Sequence, residues 1–222
     1  SHTTKDYLGT FFLPPTEPSG PHLRIIEEMD SSPILFDGWL FRNPVGIQKY
    51  RTEILKEIKP TKNIRDTVDI FMAPLRAKYQ KIIGLHIRQG DYVDFKKGKF
   101  FVPQNRVREI INEYIEQFSI NTSTSCFVIC SNGPIEESIF NGLAILRSNH
   151  PLVEDMIILA SCDALLGSDS TFGSLAAYYG NLPHIVFKKE PMNWEYYQNK
   201  KEYFDNEYCL TLCNFPRLWD GF

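Results

Sequence analysis

The chain has 222 residues, of which 43% are hydrophobic and 23% charged, so it can bury a sizeable core and is not expected to be disordered over most of its length. Its 24 lysine and arginine residues nearly balance its 27 aspartate and glutamate residues, and the net charge of -3 argues against a general nucleic-acid-binding protein. No apolar run approaches the roughly 20 residues that a membrane-spanning helix needs.

The first third of the chain predicts few regular elements. Four prolines precede Ser32, so this entry segment is predicted to be mostly loop, with one short helix near residues 23–29. An apolar, strand-like run follows over residues 33–41. Apolar residues then recur with helical spacing over residues 44–58 and 64–79, and the second stretch is expected to be interrupted at Pro74.

From Lys81 onwards, predicted strands alternate with predicted helices. Strands are expected over residues 82–87, 126–130, 142–146, 163–166 and 183–187, and helical segments over residues 103–118, 134–140, 153–161 and 170–179. This alternation is typical of βαβ units. We therefore predict an α/β protein: a Rossmann-type parallel sheet flanked by helices over residues 81–190, a partial N-terminal region over residues 1–80, and a C-terminal segment over residues 191–222 that wraps the surface.

The cysteines indicate a reducing compartment. Their number is odd, and the N-terminus shows no signal-peptide core, so we expect reduced thiols and a cytoplasmic location, with peripheral association with a membrane left open. The five residues are Cys126, Cys130, Cys162, Cys209 and Cys213. No second pair of cysteines or histidines accompanies either close pair, so no metal site is expected.

Three polar clusters follow predicted strands. They are His86 to Tyr92, Ser131 to Gly133, and Gly167 to Gly173. Because ligands of parallel α/β sheets bind beyond the carboxyl ends of the strands, these clusters are expected to form one site.

The third cluster opens directly into a predicted helix and is suited to bind an anion. Its backbone N–H groups and the hydroxyls of Ser170 and Thr171 could hold a phosphate at the positive end of the helix dipole, and Gly173 would let the helix approach the sheet closely. The alternative is that Ser168, Asp169 or Ser170 only caps the helix.

The first cluster supplies a cation. Arg88 could bind a phosphate with two parallel hydrogen bonds. The alternatives are an Arg88–Asp91 ion pair that tightens a turn, and a purely structural role for His86.

Several segments of the sequence resemble one enzyme family. His86-Ile-Arg-Gln-Gly-Asp-Tyr92 resembles the His-x-Arg-Arg-Gly-Asp-Tyr signature of the α-1,2-fucosyltransferases of glycosyltransferase family 11, within the wider GDP-fucose-dependent superfamily. Other segments resemble the family in the same order: Phe36 to Trp39, Phe101 to Pro103, Cys126 to Asn132, Val153 to Cys162, and Ser168 to Gly173. The chain departs from the family at three places: Gln89 replaces an arginine, Ser131-Asn132 an acidic pair, and Leu175-Ala176 a tryptophan pair.

The resemblance implies a GT-B-like enzyme that transfers fucose from GDP-fucose to a glycan with inversion, through an α-1,2 linkage and without a metal or other cofactor. Its partners would be the nucleotide-sugar donor and the glycan acceptor, with no nucleic acid. Residues 1–80 would be the remnant of the first, acceptor-side domain. The alternative is a catalytically silent module that binds a nucleotide sugar or a glycan. An epimerase is disfavoured because no Gly-x-Gly-x-x-Gly fingerprint is found.

The resemblance also assigns residues to roles. Arg88, with the helix that starts near Ser170, would stabilise the negative charge on the leaving diphosphate. Asp91 and Asp37 are the candidates for the catalytic base. The predicted donor-binding residues are His86, Arg88, Ser131, Asn132, Asp155, Ser168, Ser170, Thr171 and Phe172.

Overall fold

A computed structural model describes residues 49–198. Asp37, Cys209, Cys213 and the predicted elements before Lys49 therefore lie outside the described residues. Residues 49–54 are assigned to one compact unit and Leu55 to Cys209 to a second one. The description below concerns the second unit as far as Gln198, and the helix Arg51–Glu57 is given only by its bounds.

The sheet has five parallel strands, so the predicted α/β class is confirmed. They are β1 (Lys81–Ile87), β2 (Ser125–Ser131), β3 (Ile145–Arg147), β4 (Ala164–Gly167) and β5 (His184–Val186). Their order across the sheet is β3-β2-β1-β4-β5, and every neighbouring pair is parallel. β1 therefore lies at the centre of the sheet, as in a Rossmann-type fold.

Helices precede, connect and follow the strands. They are α1 (Arg51–Glu57), α2 (Lys62–Lys78), α3 (Gln104–Gln117), α4 (Leu152–Ala160), α5 (Thr171–Gly180) and α6 (Trp194–Gln198), with 3-10 turns at Asp91–Val93, Phe95–Gly98 and Glu137–Phe140. Within residues 49–198, no helix combines the length and the apolarity that crossing a membrane requires.

Two predicted elements differ from the structure. The helix expected to be interrupted at Pro74 is continuous, since α2 runs through this proline. The missing N–H of Pro74 leaves the carbonyl of Ile70 without its helical partner, and Ile70 is 77% exposed, so water can replace that bond. The third strand begins at Ile145 rather than at Gly142, because Gly142 has a φ of +86° and belongs to a turn.

Side chains of β1 alternate between two layers. Ile83, Leu85 and Ile87 belong to the core cluster beneath α3, together with Tyr197 of α6. The intervening residues face the opposite layer: a Cβ on Gly84 would lie 3.0 Å from the Leu159 side chain of α4. Because a strand exposes successive side chains to opposite faces, this burial on both sides explains the nearly continuous apolar run of β1.

The helix that precedes β1 is joined to the sheet by a partly exposed ion pair. Nη1 of Arg76 in α2 lies 2.8 and 2.7 Å from the two carboxylate oxygens of Asp163, directly before β4. The same carboxylate accepts the backbone N–H of Ile82 at 2.7 Å. α2 therefore belongs to the same unit as the strands, and this ion pair lies at the end of β1 and β4 opposite to the polar clusters.

Candidate functional site

The strand order creates a crevice at the carboxyl end of the sheet. After β1 the chain builds β2 and β3 on one side, and then crosses to build β4 and β5 on the other side. The connections that follow β1 and β4 therefore leave in opposite directions, which is the arrangement in which open α/β sheets bind ligands. We call the space between residues 88–91 and residues 168–171 the crevice. The first and third polar clusters border it, and the second cluster follows the adjacent β2.

Arg88 is the first residue after β1 and forms the ion pair with Asp91. Its Nε donates to Oδ1 of Asp91 at 2.9 Å and its Nη2 donates to Oδ2 at 2.6 Å. Its guanidinium carbon lies 4.6 Å from the centre of the Tyr92 ring. Within the described part of the chain, Nη1 donates no hydrogen bond. The ion pair therefore occupies one edge of the guanidinium and leaves the Nη1 edge able to bind an anion.

Asp91 is held as an ionised carboxylate. The hydrogen bond from Arg88 is the largest cause, and a second one from Nδ2 of Asn132 at 3.0 Å adds to it, so the pKa of Asp91 falls to about 2. A carboxylate of such low basicity accepts a proton poorly. The geometry therefore suits Asp91 to orient Arg88 better than to deprotonate an acceptor.

The side chains of the second cluster, residues 131–133, form hydrogen bonds with other groups of the protein. Oδ1 of Asn132 accepts the backbone N–H groups of Gln89 at 2.9 Å and Gly90 at 3.2 Å. Ser131 Oγ donates to the carbonyl of Gly133 at 3.1 Å and closes its own turn. Gln89, which replaces an arginine of the family signature, is buried and donates to the carbonyl of Val102 at 3.1 Å.

Ser168 and Ser170 connect β4 and α5 to β1. Ser168 is buried; its Oγ accepts the N–H of Arg88 at 2.9 Å and its N–H donates to the carbonyl of His86 at 2.8 Å. Ser170 is the N-cap of α5, because its Oγ accepts the N–H of Gly173 at 3.4 Å. The Ser170 hydroxyl therefore caps α5, as the alternative interpretation of this cluster expects.

The start of α5 nevertheless keeps donors for an anion. Thr171 is the first residue of the helix and is exposed. Within residues 49–198, no hydrogen bond is donated by the backbone N–H of Thr171 or Phe172, as expected for the first turn of a helix. These two N–H groups border the crevice at the positive end of the α5 dipole.

His86 lies inside β1 beneath α5. Its ring centre is 4.9 Å from that of Phe172, and its Nδ1 is 3.4 Å from Ser170 Oγ. Burial lowers the pKa of His86 to about 3, with smaller contributions from His184 and Arg88, so the imidazole is neutral at physiological pH. A Cβ on Gly173 would lie 3.3 Å from Nδ1 of His86, which explains why a glycine lets α5 approach the sheet here.

The hydrogen bonds of Asp155 involve residues other than those that border the crevice. It lies in the first turn of α4, and its Oδ1 accepts the hydroxyl of Ser148 at 2.5 Å. Burial raises its pKa. Within the described residues, no hydrogen bond or ion pair joins Asp155 to Arg88 or to the start of α5. Asp37, the other predicted acidic residue, lies outside the described residues.

Two residues of this region were not predicted as site residues. Tyr92 donates its hydroxyl to the carbonyl of Asp169 at 2.7 Å and so connects the two loops that border the crevice. Burial raises the pKa of Tyr92 to about 12. His184 of β5 is buried, and its Nε2 would lie 3.4 Å from a Cβ on Gly173. Tyr92 was visible in the signature; the position of His184 could not be inferred without the strand order.

The part of the chain that the structure describes contains no group of three or more histidine, cysteine, aspartate or glutamate side chains that could hold a metal ion. The groups that could bind a ligand at the crevice are therefore the Arg88 guanidinium and the N–H groups of α5. Both favour an anion.

Comparison with solved structures identifies similar chains, of which three are described here. POFUT1 in complex with GDP is 14% identical and has a TM-score of 0.46, over 60% of this chain and 48% of that one. POFUT1 in complex with GDP-fucose is 12% identical, with a TM-score of 0.46 over 59% and 47%. The fucosyltransferase NodZ from Bradyrhizobium is 17% identical, with a TM-score of 0.46 over 65% and 51%. This chain therefore spans about half the length of these structures.

Comparison at the level of sequence gives a family. No curated protein matches the chain. The model of Glycosyl transferase family 11 matches residues 46–208, which include all five strands and the three polar clusters. The match covers well over half of the sequence and includes the segment from His86 to Tyr92. The chain therefore belongs to glycosyl transferase family 11.

Proposed function

We propose that this chain is a GDP-fucose-dependent fucosyltransferase, and that its parallel sheet is the donor-binding domain of a GT-B-like enzyme. Family membership and the His86–Tyr92 signature support the proposal. The observation that carries it is the position of Arg88, which follows the central strand at the crevice. One edge of its guanidinium is fixed by Asp91, and the Nη1 edge donates no hydrogen bond within residues 49–198.

In this proposal the diphosphate of the donor lies between Arg88 and the start of α5. The acceptor hydroxyl attacks C1 of fucose while the bond from C1 to the β-phosphate oxygen breaks, so the configuration is inverted and negative charge develops on GDP. Arg88 and the N–H groups of Thr171 and Phe172 stabilise that charge, because they are already oriented before the reaction. We propose that these groups supply the positive charge that a divalent cation supplies in other transferases.

The proton of the acceptor hydroxyl needs a base. The low pKa of Asp91 disfavours that residue. Asp37 remains the acceptor-side candidate in this proposal, on the strength of its resemblance to the family segment. The α-1,2 linkage rests on the same resemblance, whereas α-1,6 is the linkage named for NodZ. A glycan acceptor and a cytoplasmic location, with association at a membrane surface left open, complete the proposal.

A silent nucleotide-sugar-binding module is the second candidate. The observation in its favour is that Asp91, the only predicted base within the described residues, is tied to Arg88 and Asn132. Such a protein would bind GDP-fucose without transferring fucose.

The test combines binding and transfer. The melting temperature is measured with GDP, GDP-fucose, GDP-mannose and UDP-glucose, since a ligand at 100 times its Kd stabilises the folded state by about 2.7 kcal/mol. Labelled GDP-fucose is then incubated with galactose-terminated glycans. We expect stabilisation by GDP and GDP-fucose, and fucosylated product. Stabilisation without product would establish the silent module, and no stabilisation by any guanine nucleotide would refute both candidates.

A further inference from the structure

One side-chain amide contacts three consecutive residues of the loop after β1. Oδ1 of Asn132 accepts the N–H groups of Gln89 and Gly90, and its Nδ2 donates to Oδ1 of Asp91 at 3.0 Å. Asn132 follows β2 and is more than 40 residues away in sequence. The contacts require an amide, because the side chain must accept from two N–H groups and also donate to a carboxylate.

The loops on which these residues lie are in close backbone contact. A Cβ on Gly133 would lie 3.0 Å from the Gln89 side chain and 3.1 Å from the backbone nitrogen of Gly90. A Cβ on Gly90 would lie 3.2 Å from Nδ2 of Asn132. The two glycines therefore bring the Asn132 amide within hydrogen-bond distance of the neighbouring loop.

The contacts continue from Asp91 to Arg88. Oδ1 of Asp91, which accepts from Asn132, also accepts from Nε of Arg88 at 2.9 Å. Of the five guanidinium hydrogens, the pair with Asp91 uses one on Nε and one on Nη2. Among the described residues, those on Nη1 and the second one on Nη2 have no hydrogen-bond partner and remain for a ligand. The orientation of this ligand-binding edge thus depends on where Asp91 is held.

We propose that Asn132 is a positioning residue for donor binding, which acts through Asp91 to orient the guanidinium of Arg88. The identity of the ligand, a nucleoside diphosphate, rests on the proposed function. Asn132 itself donates and accepts only within the protein. Its three contacts anchor the Asp91 carboxylate to the backbone of the β1 loop, and the carboxylate in turn fixes one edge of Arg88.

The first test needs no ligand. The Nε–H signal of Arg88, assigned by its loss in Arg88→Lys, is followed by NMR in the full chain, and its exchange with water is compared between the unaltered protein and Asn132→Asp. The new carboxylate can still accept from Gln89 and Gly90 but repels Asp91. We expect exchange at least fivefold faster. Asn112→Asp, an equal charge change at an exposed position of α3, is the matched control and should leave the signal unchanged. An unchanged signal in Asn132→Asp would overturn the proposal.

The second test measures GDP affinity by calorimetry. Asn132→Asp should weaken GDP binding at least fivefold, and Asn112→Asp should not weaken it. A folded Asn132→Asp protein that binds GDP normally would overturn the proposal.

The test also covers a variant that does not fold and an unaltered protein that does not bind GDP. If Asn132→Asp does not fold, Asp91→Asn replaces it, because this variant keeps the two backbone contacts of Asn132; unchanged GDP affinity there would overturn the proposal as well. If the unaltered protein does not bind GDP, the proposed function fails, and the ligand-free Nε–H measurement still decides whether Asn132 positions Arg88.

Discussion

Two buried histidines should make the stability of this domain depend on pH. Burial lowers the pKa of His86 to about 3 and that of His184 to about 4, from the ordinary value of 6.5. His184 also contributes to the shift of His86. Both imidazoles are therefore neutral in the folded protein at any pH above about 5, whereas both are free to take up a proton in the unfolded chain.

The direction and size of the effect follow from these values. Below pH 6.5 the unfolded state binds more protons than the folded state, so the free energy of unfolding falls as the pH falls. Between pH 7 and pH 5.5 each histidine should lower it by about 1.25 kcal/mol, and the two together by about 2.5 kcal/mol. The loss continues until the pH reaches the folded pKa values.

Urea unfolding at pH 7.0, 6.5, 6.0 and 5.5 measures this loss directly. His184→Gln should reduce it by at least half, because the variant removes one titrating group and also one cause of the low pKa of His86. A free energy of unfolding that stays constant over this range, or a His184→Gln variant with the full pH dependence, would refute the assignment of both histidines as buried and neutral.

Three further predictions concern the crevice and the thiols. Thr171→Asp should raise or maintain the melting temperature, because a carboxylate in the first turn of α5 interacts favourably with the helix dipole. The same variant should bind GDP at least tenfold more weakly than Thr171→Asn, and equal affinities of the two variants would refute a phosphate site there. Tyr92→Phe keeps the ring beneath Arg88 but removes the bond to Asp169, so urea unfolding should show a loss of about 1–2 kcal/mol, and an unchanged value would exclude this bridge. The buried Cys126, Cys130 and Cys162 should resist alkylation in the native protein and should be alkylated completely once the protein is unfolded without reductant. Mass spectrometry measures the modification, and cysteines that stay unmodified after unfolding would reveal disulfides.

Much of the fold could be predicted from local patterns. The run from Ile82 to Ile87 is apolar except at His86 because the sheet is covered on both faces, and its length predicts a buried strand. The helix predicted over residues 103–118 agrees with α3 within one residue at each end, because its apolar residues recur on one face. The order of the strands has no such local signal, since it depends on contacts between residues far apart in the sequence.

The same distinction applies to the candidate site. The position of Arg88 after a strand could be predicted from the sequence alone. The hydroxyl of Ser168 could be assigned to the N–H of Arg88 only once β1 and β4 were known to be neighbours. The contacts of Asn132 with the β1 loop likewise required the pairing of β1 with β2. Asp155, which the family resemblance placed with the donor-binding residues, contacts Ser148 because α4 begins beyond β3.

The central claim is that Arg88 binds the diphosphate of a guanine nucleotide donor. Calorimetric titration of GDP into the unaltered protein and into Arg88→Ala, with both shown to be folded by their unfolding transitions, tests it most directly. Charge-assisted hydrogen bonds contribute about 1.5–3 kcal/mol, so Arg88→Ala should bind GDP at least tenfold more weakly, and Arg88→Lys should be nearly as weak because it lacks the planar guanidinium. Equal GDP affinity in the unaltered protein and in Arg88→Ala would contradict the claim.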